Sequence, residues 1–303
     1  MIKSKQFRSI LFLIMKLGVF SAVLFLLFNK IKSFPDGFVF PSNIGAEAAI
    51  LFIGFMPLNW FMEWLKWKAV LKNKEVSSNI RWHSFLSGIV SSVVTPAYAG
   101  NFIGRMFYFD KKDRKAIILN TLISNASQFV ISIAFGGIAF LVLYQNTLTV
   151  LEGSIILSIN LSLFLFYFFG DHIVKKIPFD FLNQLDLILV SKSLRLNLLI
   201  LSLFRYCIFV LQFYLALLVF NVPFDLNLIF WIILMFGVIT VSPSLFFGKI
   251  IVRETIALTI LSLAGITGPT ILLAAFSTWF INQIVPVLIA TLLLKKENKH
   301  VLV

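Results

Sequence analysis

Apolar residues come in long runs, and polar residues fall between the runs rather than alternating with them. A helix needs about 20 mainly apolar residues to cross the hydrocarbon of a bilayer. Six stretches reach or approach that length: 10–28, 46–67, 116–144, 155–169, 196–220 and 270–294. Each predicts a spanning helix. Two further apolar regions do not read as single spans. Residues 81–95 are too short and rich in serine (Ser84, Ser87, Ser91, Ser92). Residues 224–241 and 250–264 are apolar but are separated by a polar interruption. The pattern predicts a re-entrant helical hairpin at each place, bent around Pro96 and Gly100 in one and around Pro243 and Gly248 in the other.

The interruption at 240–254 reads TVSPSLFFGKIIVRE. Pro243 lacks an N–H and Gly248 weakens helix, so the backbone is expected to break there. Irregular backbone at membrane depth persists only when buried in protein or lining a wet cavity. Each charge at that depth costs roughly 2.5–3.5 kcal/mol on insertion scales, which makes Lys249, Arg253 and Glu254 site candidates by default. Thr95 to Arg105 is a weaker copy: [ST]-Pro, then Gly, then Arg five residues after the Gly, as in Ser242-Pro243, Gly248, Arg253. The copies differ by one residue in the Pro-to-Gly gap. Two ordinary helix–helix turns are the plainer reading. Paired interruptions in corresponding apolar segments instead point to a site between two repeats.

Composition agrees with the pattern. The chain is 59% hydrophobic and only 13% charged, against about 25% charged in soluble domains. No stretch is polar enough for an appended catalytic domain. The net charge of +13 would suit a nucleic-acid binder, but 20 of the 26 Lys and Arg fall in five short segments, 3–8, 66–81, 105–115, 175–195 and 295–299. The connectors at 144–152, 220–228 and 265–268 carry none. That asymmetry is the positive-inside bias, so nucleic acid is not expected as a partner and both termini are expected in the cytoplasm. Lys30 and Lys32 then fall outside and do not fit the bias. Residues 10–28 could also be a signal peptide, but no A-x-A-like site follows them, so a retained span is expected. One cysteine, Cys207, and three scattered histidines offer no disulfide or metal cluster, and neither GxGxxG nor a P-loop motif occurs. No cofactor is expected.

Several polar positions fall inside apolar segments. Asn59 and Glu63 are i,i+4 on one helix and face a cavity, or Glu63 is solvated near the boundary marked by Trp60, Trp64, Trp67, Lys66 and Lys68. Ser87, Ser91 and Thr95 share a helix face. Asn120, Ser124 and Gln128 form a stripe, with Thr121 and Asn125 beside it, that should face protein rather than lipid. Gly136-Gly137 permits close helix approach. Arg205 and Gln212 share a face; Arg205 either snorkels or needs a partner such as Glu254. Residues 171–194 form a cytoplasmic connector, amphipathic at 179–189, that divides halves of about 1–170 and 195–294. The first hairpin should enter from the cytoplasm and the second from outside. The expectation is therefore one all-α polytopic membrane domain over 1–303, with about six full spans, two re-entrant hairpins and an inverted repeat.

These motifs resemble those of the membrane region of lysylphosphatidylglycerol synthases, a flippase-like family also found as stand-alone proteins. The family's first signature resembles T-P-x-R-x-G-E-x-x-R; here Thr95, Pro96 and Gly100 fit, Tyr98 and Asn101 replace the first arginine and the glutamate, Gly104 takes the last arginine's place and Arg105 comes one residue late. The second resembles G-x-x-G-V-R-E; here Gly248, Val252, Arg253 and Glu254 fit and Ile251 replaces the second glycine. The resemblance implies binding or movement of a phospholipid or a lipid-linked head group in the cell (inner) membrane, without aminoacyl transfer. Arg253 and Arg105 would bind phosphate, with Lys249, Arg205, Asn101 and Tyr98 beside them, and Glu254 would hold Arg253 or Arg205 or meet a cationic head group. A membrane-embedded enzyme acting on a lipid-linked substrate, and a non-transporting scaffold subunit, are the alternatives. An oligomer or partner subunit is left open.

Overall fold

The computed structural model describes residues 25, 45–72, 75–94, 99–174, 190–242 and 248–297. Every element among them is helical: α1 (Ala46–Val70), α2 (Ser78–Val94), α3 (Ala99–Met106), α4 (Lys111–Leu143), α5 (Val150–Val174), α6 (Lys192–Val219), α7 (Asn227–Val241), α8 (Gly248–Leu263), α9 (Gly268–Trp279), a wide π turn (Phe280–Ile284) and α10 (Val285–Glu297). Five stretches are long and apolar enough to cross a membrane: Ala46–Val70, Lys111–Leu143, Val150–Gly170, Lys192–Val219 and Gly268–Lys295. They coincide with five of the six expected spans, which makes this a multi-pass membrane protein. The sixth, 10–28, apart from Phe25, and the amphipathic stretch at 179–189 lie outside the described residues.

Local chemistry explains the element ends. Thr149 and Glu152 form a capping box at α5: the Thr149 N–H and hydroxyl donate to Glu152 Oε2 at 2.8 and 2.7 Å. Ser191 Oγ caps α6 by accepting from the Leu194 N–H at 3.2 Å. The turn after α8 uses Gly265 at φ +78°, a left-handed conformation that glycine adopts freely. Pro269 then occupies the first turn of α9, where a missing N–H is harmless. Pro286 cannot donate to the Asn282 carbonyl and crowds it, which accounts for the widening of the last span at Phe280–Ile284.

Among the described residues α2 ends at Val94, α3 begins at Ala99, α7 ends at Val241 and α8 begins at Gly248; the expected bends between them, at 95–98 and 243–247, lie outside the described residues. Gly100 and Gly248 therefore sit at the starts of α3 and α8, while Pro96, Tyr98 and Pro243 lie outside the described residues. α3 folds back along α2. A Cβ on Gly104 would collide with Ser91 Oγ and the Ser87 carbonyl, and one on Gly88 would come within 2.7 Å of Arg105 Nε. Only glycine allows this approach.

α1 and α6 form a long antiparallel pair. The Gly45 N–H donates to the Val219 carbonyl at one end, and Arg205 meets Asn59 and Glu63 further along. Each of these two helices runs straight into one interrupted pair, α1 into α2–α3 and α6 into α7–α8. The two interrupted pairs therefore start from opposite ends of the α1–α6 axis. The helix after each pair crosses to the other: α4 packs on α7, and α10 packs on α2. At the first of these crossings Gly136 meets Gly237, where a Cβ on either would lie 2.7 Å from the other's Cα.

Candidate functional site

A buried polar network threads these elements. Asn59, Glu63, Lys66 and Trp67 stand at spacings of four, three and one along α1, so they share one face, and all four are buried. That face meets Arg105 from α3 and Arg205 from α6. Arg105 Nη2 donates to Glu63 Oε1 at 2.9 Å, and Arg205 Nη1 donates to Glu63 Oε2 at 2.8 Å. One carboxylate thus holds two guanidiniums, one from each half of the chain. Charge-assisted hydrogen bonds of this length are the strong kind.

Aromatic rings complete the surroundings. The Arg105 guanidinium stacks over Trp67, 4.5 Å from the ring centroid, with Phe85 at 5.7 Å. Arg205 lies 5.3 Å from the Phe209 centroid. Such contacts partly replace the water that a buried cation gives up. Trp67 is fixed in turn, its Nε1–H donating to the Arg81 carbonyl at 3.1 Å and to Ser84 Oγ at 3.2 Å. Lys66 Nζ donates to the Ser124 carbonyl of α4 at 2.9 Å.

From Arg205 a chain of amides runs across the molecule. Arg205 Nε donates to Asn59 Oδ1 at 2.9 Å, Asn59 Nδ2 to Asn282 Oδ1 at 2.7 Å, Asn282 Nδ2 to Gln212 Oε1 at 2.8 Å, and Gln212 Nε2 to the Phe52 carbonyl at 3.0 Å. Asn282 also donates to the Thr278 carbonyl at 3.0 Å, inside the stretch that leads into the wide turn. Each amide donates and accepts in one direction, which suits a network that must be satisfied away from water. Nearby, Ser127 of α4 and Ser202 of α6 join hydroxyls at 2.7 Å.

The structure redistributes the roles the sequence suggested. Glu63 is buried at the cluster's centre, not solvated at a boundary. Lys66 and Trp67 are interior too, so of the basic and aromatic group read as a boundary marker only Lys68 is exposed. Arg205 neither snorkels nor pairs with Glu254; its carboxylate is Glu63. It stands 13 residues after Lys192 and 14 before Val219 in α6, too far from either end for its side chain to reach out. The α4 stripe turns inward as Thr121, Ser124 and Ser127, with Asn120, Asn125 and Gln128 only half-buried.

The remaining candidates lie elsewhere. Asn101 is half-buried on α3 beside Gly88. Arg253 is half-buried and Glu254 buried on α8, one turn after Lys249, whose side chain lies outside the description. Among the described residues, no group of three or more His, Cys, Asp or Glu could hold a metal ion. No family model, no curated protein and no solved structure matches the chain.

Proposed function

We propose that this protein moves or holds a lipid by its polar head group, and that its halves form an inverted repeat with two re-entrant hairpins. The observation that carries the reading is the Arg105–Glu63–Arg205 cluster. Intramembrane ionisable groups are rare and mark substrate paths more often than ordinary packing. A cluster built from both halves is where a site between repeats would lie. The antiparallel α1–α6 pair and the exchanged packing of α4 on α7 and α10 on α2 support the repeat, because a two-fold axis in the membrane plane would produce both. The resemblance to the flippase-like family, carried by Gly248, Val252, Arg253 and Glu254, points the same way. In this reading Arg253 and Arg105 meet phosphate, with Lys249, Asn101 and Tyr98 beside them, and one half rocks against the other.

The test is transbilayer movement of fluorescent phospholipid in reconstituted vesicles. Wild type should exceed protein-free vesicles, and Arg253→Ala should lose most of the excess. Equal rates for wild type and Arg253→Ala would count against the assignment. A second reading takes the cluster as a structural joint in a non-transporting scaffold. It is favoured by one observation, that both Glu63 oxygens already have partners. It expects no lipid movement by the wild-type protein.

A further inference from the structure

We propose that the Glu63 cluster is a binding site for a phosphate-bearing anion, and that Glu63 occupies the ligand's place until the ligand displaces it. The inference rests on the lipid-handling reading for the source of the phosphate, but its chemistry comes from the cluster itself.

Lys66, Arg105 and Arg205 surround a single carboxylate, with relative exposures of 1% for Lys66, 2% for Arg105 and 4% for Glu63. The side chain of Arg205 is 17% exposed. With Lys66 protonated, the three cations and one carboxylate leave an excess of two positive charges, and with Lys66 neutral an excess of one. Buried charge is tolerated when it is paired. One carboxylate cannot neutralise this set; a ligand with its own net negative charge can.

Arg105 Nε is buried with no acceptor, although the same guanidinium pairs with Glu63 through Nη2. Trp60 Nε1, one residue from Asn59, is likewise buried with no acceptor. Both side chains border Phe85: the Trp60 ring lies 6.1 Å from its centroid and the Arg105 guanidinium 5.7 Å. Buried donors normally find partners. An unfilled guanidinium donor inside an excess of positive charge describes a place for an anionic oxygen, and Trp60 adds a second unfilled donor on the Phe85 side.

Glu63 offers one oxygen to each arginine, whereas a phosphate offers several charged oxygens to both forks together. Glu63 thus acts as an internal stand-in, and its release breaks the two ion pairs that join α1 to Arg105 of α3 and Arg205 of α6. The ligand class follows: a head group with net negative charge, a phosphodiester or phosphomonoester. A zwitterionic head group brings no net charge to offset the excess.

The experiment is a set of ligand titrations of the full-length purified protein, read by thermal unfolding. The probes are short-chain phosphatidylglycerol, short-chain phosphatidylcholine, and sodium phosphate against sodium chloride at matched ionic strength. Phosphatidylglycerol should stabilise the wild type and phosphatidylcholine should not. Arg205→Gln should weaken the phosphatidylglycerol effect by about tenfold or more in concentration, as loss of a charge-assisted bond does. Glu63→Gln should strengthen it. Should Arg205→Gln not yield folded protein, Arg205→Lys, which keeps the charge and loses the fork, takes its place. Should Glu63→Gln fold only when phosphatidylglycerol is present, the proposal is supported; failure to fold with either lipid overturns it. Stabilisation by inorganic phosphate with the same variant pattern would retain the site and assign it to free phosphate. Indifference to head-group charge, or a weaker effect in Glu63→Gln, would overturn the proposal. The two readings fail separately. Cluster-dependent binding in a protein that moves no lipid sinks only the transport reading. Lipid movement without cluster-dependent binding sinks only the site.

Discussion

Glu63 does the work of joining three helices with a single carboxylate. Removing it leaves Arg105 buried and Arg205 half-buried without a counter-charge. Breaking a buried pair in this way costs about 3–5 kcal/mol. Glu63→Ala should therefore lower stability by roughly that amount in a reversible unfolding assay in detergent, while the exposed Lys68→Ala should stay within about 0.5 kcal/mol of wild type. Asn282 makes a complementary case. Asn282→Leu strands the Asn59 amide and the Gln212 carbonyl oxygen, each an orphan of the kind that costs about 1–3 kcal/mol. If Asn282→Leu were as stable as wild type, the amide chain would not be holding the last span to α1 and α6.

These residues were only partly legible in the sequence. The i,i+4 spacing of Asn59 and Glu63 was visible, and so was Arg205 as a cation needing a partner. The pairing was not, because Glu63 and Arg205 are 142 residues apart and nothing in the order of residues joins them. The signal that could have found the site was the continuation of the Asn59–Glu63 face through Lys66 and Trp67. The tryptophans and lysines around it read instead as an interfacial belt, which has the same composition.

At the scale of elements the spans were legible, since a run near 20 apolar residues is a length signal that needs no tertiary knowledge. The described helix bounds at Val94, Ala99, Val241 and Gly248 flank the two segments where proline and glycine stand in the sequence. The wide turn at Phe280–Ile284 was not anticipated, although Pro286 stood in view. Helix contacts depend on what faces what, and only Gly136 gave a hint. Gly136→Ala or Gly237→Ala forces α4 and α7 apart, and overpacking of this kind typically costs about 1–3 kcal/mol. Gly54→Ala, with nothing within 4 Å of the added carbon, is the control. Equal unfolding midpoints for all three would mean that α4 and α7 are not in contact.

For the molecule as a whole, the antiparallel α1–α6 pair sets direction. Lys68, Lys72, Lys192 and Arg195 gather at one end of it, and Asn221 and Asp225 lie beyond the other. The charge bias predicts that the first end faces the cytoplasm. In a Cys207→Ser background, an impermeant maleimide should label Lys72→Cys only from the cytoplasmic side and Asn221→Cys only from the opposite side. Labelling of both from one side would contradict the topology. The two halves and their crossed packing then frame the charged cluster as the point where opposed elements meet.

The most direct measurement is the rate at which fluorescent phosphatidylglycerol crosses the bilayer of vesicles holding equal amounts of folded protein. Arg205→Gln should fall to the rate of protein-free vesicles, while Ser158→Ala, exposed on α5, should keep the wild-type rate. An Arg205→Gln protein as fast as wild type would rule out a role for the charged cluster in moving lipid.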